Sequence, residues 1–259
     1  AGEKSFPLLI EALISATSLD SVKELMCQHK LREDSEVYFS PFVPEYLTRI
    51  KDRIAYIESS RGCPYTCSYC LSSQCRTLVF FPLDEVRADL DLLVESGAKI
   101  IKFVDRSFNV NKEHSMNIWS YIKKFAHKKV TFHFEINADR LDEEQLTLLE
   151  SMPAALVQLE AGIQSVNLQT LKAVRRTMDV EKALDNLKRL IKKGNIHIHT
   201  DLIAGLPFED LSSFRESFNR VYRVKAHHMQ LGFLKLLLGT QIRREAATHS
   251  YSFQDYPPY

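Results

Sequence analysis

The run Arg61-Gly62-Cys63-Pro64-Tyr65-Thr66-Cys67-Ser68-Tyr69-Cys70 decides how this chain is read. Its three cysteines have the spacing CxxxCxxC. Three thiolates in so short a loop can wrap one face of a cubane iron–sulfur cluster, in which each iron wants a ligand. One iron is then left open to a non-protein ligand, as a catalytic zinc site keeps a position for substrate. Zinc held with a distant histidine is an alternative, and so is a trio of buried apolar thiols. A zinc ribbon calls for a second Cys-x-x-Cys or a histidine pair at zinc spacing. His197 and His199 are two apart, and His227 and His228 are adjacent, so neither pair fits.

Working outward, the remaining cysteines, Cys27 and Cys75, match no ligand spacing and read as structural or incidental. Five cysteines with three clustered do not form a disulfide framework; they suit a reducing compartment, and the cytoplasm is the expected location. A formal net charge of +1 gives no basic excess to argue for nucleic acid as an obligatory partner. With 45% hydrophobic residues in 259, the chain can bury a large core, yet no apolar run reaches the length of a membrane span.

Strands and helices alternate from Ile54 onward. Strands are expected at 54–58, 99–104, 130–136, 155–159, 196–203 and 228–237. Helices are expected at 83–96, 114–126, 141–150, 168–174, 180–193 and 210–224, with Gly97 and Gly194 as C-terminal stops. The fold class is therefore α/β, a partial (β/α)6 TIM-like barrel of parallel strands with helices outside. A helix over 6–14 and a connector with Pro41 and Pro44 precede it, and Tyr256-Pro257-Pro258-Tyr259 ends the chain with no closing element. The expected organisation is a linker and helix over 1–52, a core barrel over 53–240, and the start of a truncated C-terminal region over 241–259.

Chemistry in such barrels gathers at the carboxyl ends of the strands. The cysteine loop lies after the first strand, Asp105 after the second, Glu135 and Asn137 at the third, Glu160 and Gln164 at the fourth, His199 and Asp201 in the fifth, and Lys235 at the sixth. Packing alone does not explain so many polar groups in apolar strands. Their common placement points to one shared site.

The cysteine loop, with Tyr69 before the third cysteine, resembles that of the radical S-adenosylmethionine (radical SAM) superfamily. Gly162-Ile163-Gln164-Ser165 is similar to its GxQS segment, and Asp201-Leu202-Ile203-Ala204-Gly205-Leu206-Pro207 to its D-x-I-x-G-x-P segment. The likeness runs from about residue 53 to residue 237. At the second strand end the superfamily has a glycine-rich turn; here Val104-Asp105-Arg106-Ser107-Phe108 resembles the cobalamin-binding branch. The opening Gly2-Glu3-Lys4-Ser5-Phe6 resembles the end of that branch's cobalamin domain, which is itself absent from this sequence.

The resemblance implies a [4Fe–4S] cluster on Cys63, Cys67 and Cys70, with SAM chelated at the open iron. It implies reductive cleavage of SAM to a 5′-deoxyadenosyl radical that abstracts hydrogen from a substrate. Arg176 falls where the superfamily's arginine pairs with the SAM carboxylate, and Asp105 where its amine is received. Glu135 and Asp201 are expected at the ribose hydroxyls or the amine, Glu160 and Gln164 in the same pocket, and Tyr69 beside adenine with the Gly205 turn. The implied partners are a small-molecule or peptide substrate and an electron donor such as flavodoxin or ferredoxin. Cobalamin, held by a domain outside this chain, would make the reaction a methyl transfer or rearrangement. The alternatives are a cobalamin-independent oxidoreductase or isomerase, and a non-enzymatic zinc or electron-transfer module. No hydrogen-abstracting or other catalytic side chain is assigned.

Overall fold

The computed structural model describes residues 40–74 and 77–253, with positions 10, 13, 14 and 38. The chain divides into two compact units, Ala1–Pro41 and Phe42–Tyr259. The helix expected over 6–14 is described only at Ile10, Leu13 and Ile14, so its bounds lie outside the described residues, as do Cys27 and Cys75.

In chain order, the second unit runs β1 (Ile54–Ile57), β2 (Ser60–Arg61), β3 (Val79–Phe80), α1 (Leu83–Glu95), β4 (Ile100–Phe103), α2 (Lys112–Ile122), β5 (Thr131–Ile136) and α3 (Glu143–Glu150). It continues with β6 (Val157–Gln164), α4 (Leu168–Ala173), α5 (Val180–Lys193), β7 (His197–Ala204), α6 (Leu211–Tyr222) and β8 (His228–Phe233). Among the described residues, six strands form one sheet in the order β1-β4-β5-β6-β7-β8, and every neighbouring pair is parallel. This is an open, TIM-like partial barrel. Parallel neighbours need crossovers, and the helices supply most of them.

Local chemistry sets the element bounds. In α5, buried Val180, Ala183, Leu184, Leu187 and Leu190 recur at helical spacing. Asp179 caps its start by accepting from Lys182 N at 3.0 Å, and Gly194 ends it at φ 75°. The third helix begins at Glu143 rather than 141, because Asp142 and Gln145 form a capping box. The helix expected over 114–126 starts at Lys112, capped by Asn111, and tightens into a 3-10 stretch from Lys123 to His127.

The fourth sheet strand is longer than the 155–159 expected, running through Gly162 to Gln164. The last ends at Phe233, so Lys235 lies beyond it. The ribbon of β2 and β3, antiparallel through Ser60↔Phe80 and Arg61↔Val79, escapes a reading by periodicity because each strand is two residues long.

Alternation along the strands positions the site. In β6, Val157, Leu159, Ala161 and Ile163 are buried, while Gln158, Glu160, Gly162 and Gln164 alternate with them on the other face. On the buried side, Phe103, Phe108, Phe134 and Trp119 pack with ring centroids 4.4–6.1 Å apart. The chain past residue 240 packs into a separate small cluster: Ile242 is fully buried with Val174 and Leu206, and its N–H donates to Ser68 O at 2.9 Å.

Candidate cluster and cofactor site

The cysteine loop is clamped at both ends. Where it opens, β2 pairs with β3, and Gly62 adopts φ +101° with the Thr77 carbonyl where a Cβ would project. Only glycine tolerates both. Farther along, Ser68 N donates to Val174 O at 2.9 Å, and Cys70 N to Cys67 O at 3.1 Å. Cys63 and Cys67 are buried, Cys70 is half-buried, and all three are free thiols. Burial pushes the Cys63 thiol up from its ordinary value.

All three cysteines line one cavity of 190 Å³. Its other walls include Tyr69, Glu135, Glu160, Gln164, Arg176 and Asp201, so the barrel brings together most of the residues singled out in the sequence. Arg176 is aimed inward by the end of α4. Arg176 N donates to Leu171 O and Arg175 N to Lys172 O, while Arg175 takes φ 56°, a Schellman closure with arginine in the left-handed position. The Arg176 guanidinium reaches Gly162 O, Tyr69 Oη at 3.4 Å and Cys67 Sγ at 3.9 Å.

Beneath the cavity lies a charged layer. Lys102 Nζ is 3.3 Å from Glu160 Oε2 and 3.8 Å from Glu135 Oε1, and His133 Nε2 is 2.9 Å from Glu160 Oε2. The His133 hydrogen bond, with help from the Lys102 ammonium, pulls the Glu160 carboxyl down to about 2. Burial, with the Glu160 and Glu135 charges, pushes Asp201 up to about 7. Burial and Glu160 also raise Glu135. The site thus holds one firmly ionised carboxylate beside one that keeps its proton near neutrality. Lys102 and His133 were missed in the sequence, although the alternation in Ile100-Ile101-Lys102-Phe103 puts Lys102 on the inward face.

His199, Lys235 and the Gly205 turn do not line the cavity, and Asp105 is turned away from it altogether. It is 1% exposed and does not line the cavity. It shares the parity of buried Ile101 and Phe103, which turns it away from the barrel interior. Its carboxylate accepts from Ser59 N at 2.9 Å, Ser59 Oγ at 2.7 Å and Ser60 Oγ at 2.6 Å. His114 Nε2, 2.9 Å from Ser59 Oγ, extends the network. The expectation that Asp105 receives the SAM amine is corrected here: its oxygens are engaged in tying the end of β1 to the end of β4. Arg106 and Ser107, the next two residues, line the cavity instead.

The cavity fits the groups that the cysteine motif implies. It offers three free thiols on one side. On the other, Asp201 Oδ1 lies 3.0 Å from His199 Nε2, and Gln164 Oε1 and Arg176 Nε are buried without hydrogen-bond partners among the described residues. Buried polar atoms are rarely left so. An acceptor, a cationic donor and a carboxyl oxygen around one space suit a zwitterionic ligand with hydroxyl groups.

A profile of the radical SAM superfamily matches residues 57–221. This is more than half of the chain, and the chain belongs to that enzyme superfamily. Membership implies a [4Fe–4S] cluster and SAM. The ribosomal protein uS12 methylthiotransferase RimO of Chlamydia pneumoniae is 24% identical over 184 residues, covering 67% of this chain and 39% of that protein. The cobalamin-dependent radical SAM methyltransferase TokK of Streptomyces tokunonensis is 26% identical over 181 residues, covering 66% of this chain and 26% of that protein. The structure of the radical SAM methyltransferase TsrM from Kitasatospora setae, with cobalamin and [4Fe–4S] cluster bound, superposes with a TM-score of 0.70 at 20% identity. That match covers 86% of this chain and 42% of TsrM, and it shows the fold. The chain therefore spans about two-fifths of RimO and of TsrM. Among the described residues no helix is long and apolar enough to cross a membrane.

Proposed function

We propose that Cys63, Cys67 and Cys70 hold a [4Fe–4S] cluster and that the facing wall holds SAM at its open iron. The carrying observation is that one cavity is lined by the three free thiols and by Gln164, Arg176 and Asp201, with Gln164 Oε1 and Arg176 Nε buried and without partners among the described residues. Arg176 binds the SAM carboxylate, for which a guanidinium fork is suited. Glu135, Asp201 and Gln164 take the ribose hydroxyls and the amine, and Tyr69 lies beside adenine. Glu160, locked by Lys102 and His133, supplies fixed negative charge beneath them. The bound pair supplies a 5′-deoxyadenosyl radical for hydrogen abstraction, while the barrel orients it and excludes water. A zinc or simple electron-transfer module would leave the unpartnered wall atoms without a ligand.

Methyl transfer or rearrangement with cobalamin from a domain outside this chain is the favoured reaction class, supported by the likeness to TokK and TsrM. Cobalamin-independent oxidation or isomerisation is the second reading, supported by the similarity in fold to coproporphyrinogen III oxidase HemN of Escherichia coli, TM-score 0.55. The substrate is a small molecule or peptide, the donor a one-electron carrier of the flavodoxin or ferredoxin kind, and the setting the cytoplasm. Anaerobic incubation of the reconstituted protein with SAM and dithionite tests the proposal. It expects 5′-deoxyadenosine, or S-adenosylhomocysteine when cobalamin and a domain that carries it are supplied. Neither product, from protein with a full cluster, contradicts it.

A further inference from the structure

Ser107 follows Asp105 by two residues on the loop after β4 and is 7% exposed. Its Oγ lies 3.9 Å from Cys63 Sγ. Asn137 Nδ2 donates to that oxygen at 3.0 Å. A serine hydroxyl has one hydrogen to give. With Asn137 occupying a lone pair, that hydrogen has two acceptors in reach, the Arg106 carbonyl at 2.7 Å and the Cys63 sulfur.

Asn137 is itself held in place. Its N–H donates to Asn109 Oδ1 at 2.9 Å, and its carbonyl accepts from Asn109 Nδ2 at 2.9 Å. Asn109 is 3% exposed. The two asparagines lock together the chain after β4 and the end of β5, and so fix the amide that orients Ser107. Ser73, just past the cysteine loop, behaves differently: it donates to the Cys70 carbonyl at 2.6 Å, a backbone oxygen.

We propose that Ser107 is a positioning and tuning residue: its hydroxyl turns to the Cys63 sulfur once that sulfur carries iron, and raises the reduction potential of the cluster. This rests on the proposed cluster at Cys63. A hydrogen bond to an ionised acceptor is roughly twice as strong as one between neutral groups, which favours the thiolate over the Arg106 carbonyl. Hydrogen bonds to the sulfurs are among the levers that set iron–sulfur potentials. Reduction adds negative charge to the cluster, and a donor at the sulfur stabilises that charge. Ser107 thereby sets how readily the cluster takes the electron the reaction consumes.

The test is a redox titration followed by electron paramagnetic resonance on anaerobically reconstituted wild type, Ser107→Ala, Ser107→Thr, Ser107→Val and Ser73→Ala. Threonine and valine share a shape and differ by the hydroxyl, so that pair isolates the hydrogen bond. The expected result is full iron in each protein, a more negative midpoint in Ser107→Ala and Ser107→Val, and near wild-type values in Ser107→Thr and Ser73→Ala. Equal midpoints for the Thr and Val proteins overturn the inference, as does failure of both to load iron, which would mark a purely steric role. A wild-type protein without an iron–sulfur chromophore sinks the proposed function as well, so the two failures are distinct.

Discussion

Arg176 and Cys67 lie 109 positions apart in the chain, yet Arg176 Nη1 stands 3.9 Å from Cys67 Sγ. The contact joins the cysteine loop to the turn that closes α4. It places a half-buried cation beside the thiols and at the rim of the cavity proposed for SAM. Arg176→Ala is expected to weaken SAM binding by about one to two decades, the loss of a charged hydrogen bond of about 1.5–3 kcal/mol. Calorimetry on loaded protein measures it, with iron content unchanged. Equal SAM affinity would make the arginine a structural buttress of the loop.

Gly162 makes a separate prediction. A Cβ there would fall on Gln164 Nε2, with Arg176 Nη2 3.8 Å away. The flexible end of Gln164 must then give way, and Gln164 already sits at φ 70° in an irregular stretch of the β6–β7 pairing. Gly162→Ala is expected to cost SAM affinity by about a decade, near the low end of an overpacking penalty of about 1–3 kcal/mol. The unfolding midpoint in urea should move less than the affinity does; the reverse would show that backbone, rather than the two side chains, yields.

Asp105 separates the two readings of the second strand end. Asp105→Asn must turn an amide N–H₂ toward the donors of Ser59 or Ser60. The expected cost is about 1–3 kcal/mol of stability, read by denaturant unfolding, with SAM affinity of the loaded protein unchanged. A stable variant with lost SAM affinity would restore the ligand role that the sequence suggested.

Asp201 carries a pH dependence. Its carboxyl rises from an ordinary 3.8 to about 7 in the folded chain. The folded state then holds this proton where the unfolded chain has released it. Its contribution is full below about pH 4 and is lost as pH rises through about 7. Asp201→Asn should therefore be more stable than wild type in the cluster-free protein at pH 8, by at most about 4 kcal/mol at about 1.4 kcal/mol per pH unit. The gap should close below about pH 4. Parallel stability curves for the two proteins from pH 4 to 8 would contradict it.

The sheet was legible because each strand carries its own pattern: β5 and β7 alternate buried apolar and inward polar residues, and α5 repeats at helical spacing between Asp179 and Gly194. The cavity was legible through the cysteine spacing and the polar strand ends. Asp105 misled because a carboxylate ending a strand reads as a rim residue until its parity with Phe103 is followed past the strand. Ser107 was not singled out, since a serine in a loop carries no pattern; only the fold brings Cys63 and Asn137 to it. Lys102 lay in plain view, but its partners Glu135 and Glu160 come from other strands.

The most direct measurement is an iron and sulfide assay with electron paramagnetic resonance, on anaerobically reconstituted wild type and Cys67→Ala, before and after adding SAM. The account predicts about four irons and four sulfides per wild-type chain, a reduced-state spectrum that shifts when SAM binds the open iron, and no retained cluster in Cys67→Ala. A wild-type chain that takes up zinc in place of iron, a Cys67→Ala protein with normal iron, or a full cluster whose spectrum ignores SAM would contradict it.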